Sequence, residues 1–583
     1  MKNLANKNIL VLGLGASGLA LARWCVRNGA QVTVADTRAA PPQLQALRGS
    51  LPGVTFVHSP MDEALFASAV FDMVLKSPGL SPASVAAVIH AAEARGTARG
   101  NELSLFAQAL AELKEERAYA PQVIGITGTN GKTTVTSLTG QLIARAGKSV
   151  AVAGNIGPTL LDTLTQQLDA PLLPEVWVLE LSSFQLAACR TLGVESENRP
   201  QRGQFLPDLQ AHSPAMGQKD GEKWTAAVDL QPTIPKSDRL LDSVSSFEPT
   251  VAVVLNITQD HLDWHETFPA YRAAKARVYG RTGLMLLNRD DPLVMAALPP
   301  APPATKAKQA ASREYLTFGS DMPQRPGDYG LEVVNGMTWL VRAAVADETI
   351  KKNRPQASLP PEGAVRALGW PGGAAHKNEA VVLYIQRLMP MDALRIRGLH
   401  NATNALVALG LAVAAGCQLA PMLHGLREYR GEPHRVESVA VIRDIEYFDD
   451  SKGTNVGAAV AALAGLGTDR KLVLILGGDG KSQDFSPLAA PVSRYARAVV
   501  LIGRDAARIR SAIQASGVPL LDAGSMQEAV HSAAQQARTG DAVLMSPACA
   551  SFDMFDNYQH RAQVFCEAVQ ALAQDSQNTG VLV

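Results

Sequence analysis

The stretch Val123-Ile124-Gly125-Ile126-Thr127-Gly128-Thr129-Asn130-Gly131-Lys132-Thr133-Thr134 decides the fold. An apolar strand runs into a glycine-rich turn, and the pattern beyond it predicts a helix from Val135 to about Ala146. Such a turn cradles phosphate. Gly128 and Gly131 let backbone N–H groups point inward, the helix N-terminus adds partial positive charge, Lys132 can reach a terminal phosphate, and the Thr133 hydroxyl can hold Mg²⁺. The usual P-loop spacing is not met, because Ile126 stands where the first glycine of G-x-x-x-x-G-K-[ST] belongs.

Upstream, Asn8 to Leu12 reads as a strand leading into Gly13-Leu-Gly15-Ala16-Ser17-Gly18, followed by a helix to about Asn28, a strand Gln31 to Ala35, and Asp36 at its end. This is a nucleotide-type βαβ opening; taken alone, it favours a nicotinamide dinucleotide with Asp36 on a ribose hydroxyl. A further strand, Phe71 to Leu75, leads into Lys76-Ser77-Pro78-Gly79 at the carboxyl end of a strand, where ligands of open α/β sheets bind. The first domain is expected to span residues 1–120, closing after a charged helix around Leu110 to Arg117.

Downstream of the cradle, a strand at Val150 to Val152 enters Gly154-Asn155-Ile156-Gly157, and the buried strand Val176 to Glu180 ends on a carboxylate. An acid placed there serves as a Mg²⁺ ligand or orients a reactant; the alternative, capping the next helix, can be met by Ser182. Val251 to Leu255 is a strand, and the loop after it carries Asp260, His261 and Asp263, which suit either a metal site or plain solvated structure. A helix Phe268 to Tyr279 carries Lys275, and a strand follows at Leu284 to Asn288. Asn335-Gly336 between alternating strands predicts a hairpin over Leu331 to Val341. Polar, Pro-rich stretches mark inserts near residues 195–246 and 299–378 of a central domain spanning 121–430, including a flexible tract Pro299 to Ala311 and an irregular stretch at 350–378. His400-Asn401-Ala-Thr-Asn404 opens an Ala/Leu-rich helix to about Ala415. In the last domain, residues 431–583, a strand pair over Val436 to Tyr447 precedes strands at Leu472 to Leu476, Ala498 to Ile502, Leu520 to Leu521 and Ala542 to Met545, alternating with helices. The expected fold is α/β in three domains: Rossmann-like, P-loop ATPase-like, and a doubly wound Rossmann-like C-terminal domain.

At 583 residues the chain exceeds a single core, and 54 basic against 54 acidic residues leave no global field to favour nucleic acid or an anionic membrane. Five cysteines without a C-x-x-C pair read as free thiols of a reducing cytosol. Met1 to Lys7 is basic and Ile9 to Leu21 apolar, but Gly13, Gly15 and Gly18 interrupt that run and argue against a secretory signal. No apolar run of about 18 residues predicts a membrane span, so the expected compartment is the cytoplasm.

Gly128-Thr129-Asn130-Gly131-Lys132-Thr133, Gly154-Asn155-Ile-Gly157, Glu180, Asp260-His261, Lys275, His400-Asn401-x-x-Asn404 and His434-Arg435, in that order, resemble the Mur ligases, relatives of the folylpolyglutamate synthases. The off-register P-loop is that family's own form. Asp450-Ser-Lys452-x-Thr454-Asn455, Gly-Gly-Asp479-Gly-Lys481 and Ser-Pro-Ala-x-Ala-Ser551-Phe552-Asp553 look like the branch that adds D-glutamate to UDP-N-acetylmuramoyl-L-alanine through an acyl phosphate. The resemblance implies that Gly15, Ala16, Ser17, Asp36, Thr37, Arg38, Ser77, Gly79, Asn155 and Ser182 bind the UDP substrate. It places ATP on Gly128 to Thr134, Asn401, Asn404, Arg435 and Asp450, and D-glutamate on Lys452, Thr454, Lys481, Ser551, Phe552 and Tyr558. It assigns catalysis to Lys132, Glu180, His261 and Lys275, with one Mg²⁺ on Thr133 and Glu180 and a second on His261 and a carbamylated Lys275. A monomer is expected. A nicotinamide dehydrogenase would leave Lys132, Glu180 and Lys481 without a role, and a non-enzymatic ATP-binding switch would not need an acceptor site.

Overall fold

The computed structural model describes residues 4–67, 69–187, 247–299, 313–345, 364–366, 382–468 and 470–579. Three α/β layers follow one another, each on its own sheet. In the first, β1 (Asn8–Leu12), β2 (Gln31–Asp36), β3 (Thr55–His58), β4 (Met73–Lys76) and β5 (Ala98–Gly100) pair in parallel in the order β3-β2-β1-β4-β5, the Rossmann arrangement. The helix Ala16–Arg27 starts directly on the glycine turn. A Cβ at Gly18 would lie 2.0 Å from the Gly13 carbonyl oxygen, so only glycine lets the helix come this close to the strand end.

The second sheet is built from β6 (Gln122–Thr127), β7 (Val150–Gly154), β8 (Val176–Glu180), β9 (Val251–Val254), β10 (Leu284–Asn288), β11 (Tyr315–Phe318), β12 (Tyr329–Val334), β13 (Met337–Val345), β14 (Ala364–Arg366) and β15 (Val382–Pro390). Its order is β14-β15-β13-β12-β11-β10-β9-β6-β8-β7, parallel from β7 through β12 and antiparallel beyond. The hairpin turn is the expected one, with Asn335 and Gly336 at φ 51° and 78°.

Two expectations need correction. Residues 313–345 are not an insert: β11, β12 and β13 continue the central sheet, and β14 and β15 extend it. β12, only partly buried, gives a weaker signal than the apolar runs of β6, β8 and β9. The cradle helix is Lys132–Arg145, beginning at Lys132 rather than Val135, because Gly131 at φ 83° turns the chain into it. The Pro-rich insert at 195–246 lies outside the described residues, as do 300–312 of the Pro/Ala/Lys tract and most of 350–378.

The third sheet contains β16 (Glu437–Ile442), β17 (Ile445–Asp449), β18 (Leu472–Gly477), β19 (Ala496–Ile502), β20 (Leu520–Asp522) and β21 (Ala542–Met545) in the order β16-β17-β21-β18-β19-β20, antiparallel only between β16 and β17. Alternation along β18 shows the double winding. Leu472, Leu474 and Leu476 pack with Ala459, Val492 and Ile509, whereas Val473 and Ile475 pack with Val530 and Phe565 on the other face.

One apolar cluster runs from Ile9 and Val11 of the first sheet through Phe106 to Trp177 and Leu179 of the second. At its centre Phe106 meets Trp177 edge-on, with centroids 5.1 Å apart, and Trp177 Nε1 donates to the Tyr119 hydroxyl at 2.8 Å. Trp177→Ala is expected to remove about 3–5 kcal/mol of stability. The check is a urea titration, in which an unchanged unfolding midpoint would contradict this packing.

Candidate active site

β6 lies between β8 and β9, with Ile126 opposite Glu180 and Thr127 opposite Val254. The loops leaving these three strands therefore meet at one edge: the cradle, Glu180, and the segment from Asn256 to His261. Asn256 braces the cradle from the neighbouring strand. Its Oδ1 accepts from Asn130 N at 2.8 Å, its Nδ2 donates to Asn130 O at 3.2 Å, and its carbonyl accepts from Thr129 N at 3.0 Å. Sequence reasoning missed Asn256, although a polar residue following a fully buried strand was the available signal.

Lys132 Nζ donates to the carbonyls of Gly128 (2.8 Å) and Thr129 (2.9 Å), and Lys275 Nζ donates to the same Gly128 oxygen at 2.8 Å. Lys275 is 2% exposed and its amine lies 4.6 Å from the Tyr271 ring centroid. Burial, and then the neighbouring Lys132, push the Lys275 ammonium well below its usual range; burial also lowers Lys132, against the opposing pull of Glu180. Glu180 is buried. Its Oε1 accepts from Asn155 Nδ2 at 2.9 Å, while Oε2 has no hydrogen-bond partner among the described residues. An orphaned carboxylate oxygen beside a phosphate cradle fits a divalent cation. Ser182 supplies the alternative role proposed for Glu180, since its Oγ accepts from Gln185 N at 3.2 Å at the start of the helix Ser183–Ala187. His261 stands at φ 54°, 3.5 Å from Asp260 and edge-on to Phe184, and burial lowers its pKa, which favours the neutral imidazole a metal requires.

The third domain closes over this edge. Arg435 donates to Thr133 Oγ1 at 2.7 Å, and Asn455 Nδ2 donates to Asn130 Oδ1 at 3.0 Å and to Asp260 Oδ2 at 3.4 Å. One cavity along the seam is lined by Asn130, Gly131, Thr134, Asn401, Asn404, Arg435, Asp450 and Lys452, together with Glu432, which the sequence did not single out. Asp450 accepts from Ser546 Oγ at 2.6 Å, and burial pushes its carboxyl up to about 7.

The strand order β17-β21-β18 sets the loops after Asp449, Met545 and Gly477 side by side. Arg561, fully buried, ties two of them, donating to Ser451 O at 2.8 Å and Cys549 O at 3.1 Å. Lys452 Nζ lies 5.3 Å from the Tyr558 ring centroid. Lys481 is held at φ 46°, with its N–H on Asp479 Oδ1, and Ser551 is buried. Phe552, 72% exposed, faces solvent rather than the other acceptor candidates.

At the first domain, Asp36 is already occupied. Its oxygens accept from Leu14 N (2.7 Å), Arg38 N (2.9 Å) and the Arg38 guanidinium (2.8 and 2.9 Å). Although burial would raise it, these bonds hold the carboxyl at about 2. In this arrangement Asp36 shapes the glycine turn and orients Arg38, so the dinucleotide expectation of a carboxylate free for a ribose hydroxyl does not hold. Ser77 is buried, its N–H on Leu12 O at 2.9 Å.

A phosphate cradle with an unsatisfied carboxylate, facing a doubly wound domain across a polar seam, defines a nucleotide-dependent enzyme of the three-domain ligase type. Residues 7–98 match the family described as Mur ligase MurD-like, N-terminal domain; 126–197 and 236–322 match the Mur ligase middle domain; and 434–549 match the Mur ligase glutamate ligase domain. The chain belongs to the Mur ligase family. It is 53% identical to the UDP-N-acetylmuramoylalanine–D-glutamate ligase of Polaromonas sp. (99% of each chain) and 56% identical to that of Albidiferax ferrireducens (98% of each). Among solved structures, UDP-N-acetylmuramate-alanine ligase MurC from Thermotoga maritima aligns over 97% of this chain and 100% of its own, at 18% identity and a TM-score of 0.47. Among the described residues no helix is long and apolar enough to cross a membrane.

Asp450 makes this site pH-sensitive. Its carboxyl rises from 3.8 to about 7 on folding, so between those values the folded state holds a proton that the unfolded state has lost. Stability should then fall as pH rises through that window and level off above it. Asp450→Asn should remove this contribution and gain stability relative to the parent chain between about pH 4 and 7. Unfolding midpoints of both proteins across that range provide the check; parallel curves would contradict it.

Proposed function

We propose that this chain is an ATP-dependent ligase that joins D-glutamate to UDP-N-acetylmuramoyl-L-alanine in cytoplasmic peptidoglycan precursor synthesis. The observation that carries the proposal is the seam itself: Arg435 on Thr133 and Asn455 on Asn130 bring the nucleotide cradle and the acceptor loops to one place. The near full-length relatives named above support the choice of substrates.

A carboxylate is a poor acyl donor, so the alanyl carboxylate first attacks the γ-phosphorus of ATP and ADP leaves. The D-glutamate amine then attacks the acyl phosphate carbon, the tetrahedral intermediate expels phosphate, and the nitrogen loses a proton. Placing and neutralising anions is the protein's main task in such a reaction. Lys132 exchanges its loop carbonyls for the γ-phosphate. Thr133 and Glu180 would hold one Mg²⁺, and His261 with a carbamylated Lys275 a second; bound there, Mg²⁺ supplies charge neutralisation between phosphates and carboxylate. Asn401, Asn404, Arg435 and Asp450 frame ATP. Gly15, Ala16, Ser17, Asp36, Thr37, Arg38, Ser77, Gly79, Asn155 and Ser182 receive the UDP substrate. Lys452, Thr454, Lys481, Ser551, Phe552 and Tyr558 receive D-glutamate, the two lysines pairing with its carboxylates.

Phosphate release from ATP and UDP-N-acetylmuramoyl-L-alanine, scanned over amino acids, should be fastest with D-glutamate, and Lys481→Ala should raise the KM for D-glutamate by at least roughly tenfold. Faster release with L-alanine or meso-diaminopimelate would sink the acceptor assignment. The buried, proton-poor Lys275 amine is the form that reacts with CO₂. Incubation with labelled bicarbonate should give a carbamate carbon signal by NMR that Lys275→Arg lacks, and that variant should be inactive because arginine supplies no anion. Full activity in Lys275→Arg would rule the carbamate out.

A further inference from the structure

Lys76 ends β4 beside the glycine turn, opposite Leu12 in the parallel register. The next residue is locked to the same turn: Ser77 N donates to Leu12 O at 2.9 Å, and Ser77 Cβ lies 3.3 Å from where a Gly13 side chain would begin. The Lys76 side chain, however, crosses to the central domain, where Nζ sits 4.9 Å from the centroid of the Trp264 ring. Trp264 packs on Phe184 (4.8 Å between centroids), and Phe184 on His261 (4.7 Å).

Lys76 is half-buried, and among the described residues no carboxylate or hydrogen-bond acceptor pairs with it. Burial lowers its ammonium to about 8. A partly desolvated cation with only a ring face for company lacks a counter-charge, since a cation–π contact leaves the charge unneutralised. The carboxyl end of a parallel strand beside a glycine turn is where a ligand's anion arrives.

We propose that Lys76 is a substrate-binding residue whose ammonium pairs with the diphosphate of the UDP-linked substrate, with Trp264 of the central domain holding it in position, an assignment that rests on the ligase function proposed above. Of the substrate's two anionic parts, the diphosphate is the one that the glycine turn beside the end of β4 would hold. Lys76 meets the central domain through Trp264, which packs on Phe184, and Phe184 in turn packs on His261. Lys76 thus reports to the phosphate end of the substrate, and its contact with Trp264 couples that end to the closeness of the first two domains.

The test is isothermal calorimetry of the full chain without ATP, using UDP-N-acetylmuramoyl-L-alanine and, separately, UDP as probes. Lys76→Met should weaken both by a similar factor, at least roughly tenfold, while Lys76→Arg keeps Kd within about threefold of the parent chain. Trp264→Leu should give an intermediate loss, because the ammonium remains but is no longer held. Unchanged KM for ATP and D-glutamate in Lys76→Met would show that the fold is intact. Parent-like Kd values in Lys76→Met overturn the proposal alone, and so does a loss for the full substrate with none for UDP, which would move Lys76 to the carboxylate. Failure of the parent chain to bind either probe overturns the ligase function and the proposal together.

Discussion

Two lysine amines share one carbonyl oxygen, that of Gly128, and much of the chemistry depends on this crowding. Among the described residues neither amine has a hydrogen-bonded carboxylate, and both are desolvated by burial. Each amine therefore favours whatever brings negative charge. Glu180 is the mirror image, a buried carboxylate with one oxygen left over. Among the described residues no hydrogen bond joins either lysine to Glu180, and this separation leaves charges of both signs at the site for a ligand to meet.

The sheets make this separation possible. A parallel strand delivers its loop at one end only, so neighbouring strands deliver loops that touch, and β8-β6-β9 and β17-β21-β18 do so on either side of the seam. The cradle stays open because Asn256 and Asn455 satisfy its backbone and amide groups without filling it.

What the sequence revealed and what it hid follow from the range of the interactions. β6, β8, β9, β18 and β21 are legible because strands buried on both faces read as apolar runs, and the glycine turns, Glu180 and the Gly-Asp-Gly-Lys loop follow them directly. β11 and β14, and the hairpin of β12 and β13 apart from its Asn335-Gly336 turn, fall within the expected insert near 299–378 because strands next to a Pro/Ala tract offer no long apolar run. Arg561 acts on a partner 110 residues away that no local pattern announces, and Asn256, although flagged by its place after a buried strand, reaches a partner 126 residues away that spacing does not report. Asp36 was correctly placed at a strand end, but its occupation by Arg38 is set by side-chain geometry that spacing does not report.

The first two domains share an apolar cluster through Phe106 and Trp177, whereas the clusters of the third contain only its own residues, and the contacts across the seam described above are amide and guanidinium hydrogen bonds. Parting the first two would wet a large aromatic and aliphatic area and raise the heat capacity. Breaking those seam bonds exchanges protein hydrogen bonds for bonds to water. The seam hydrogen bonds alone therefore bind the third domain less firmly than the shared apolar cluster binds the first two, and ligands seated between the domains add contacts that water cannot replace.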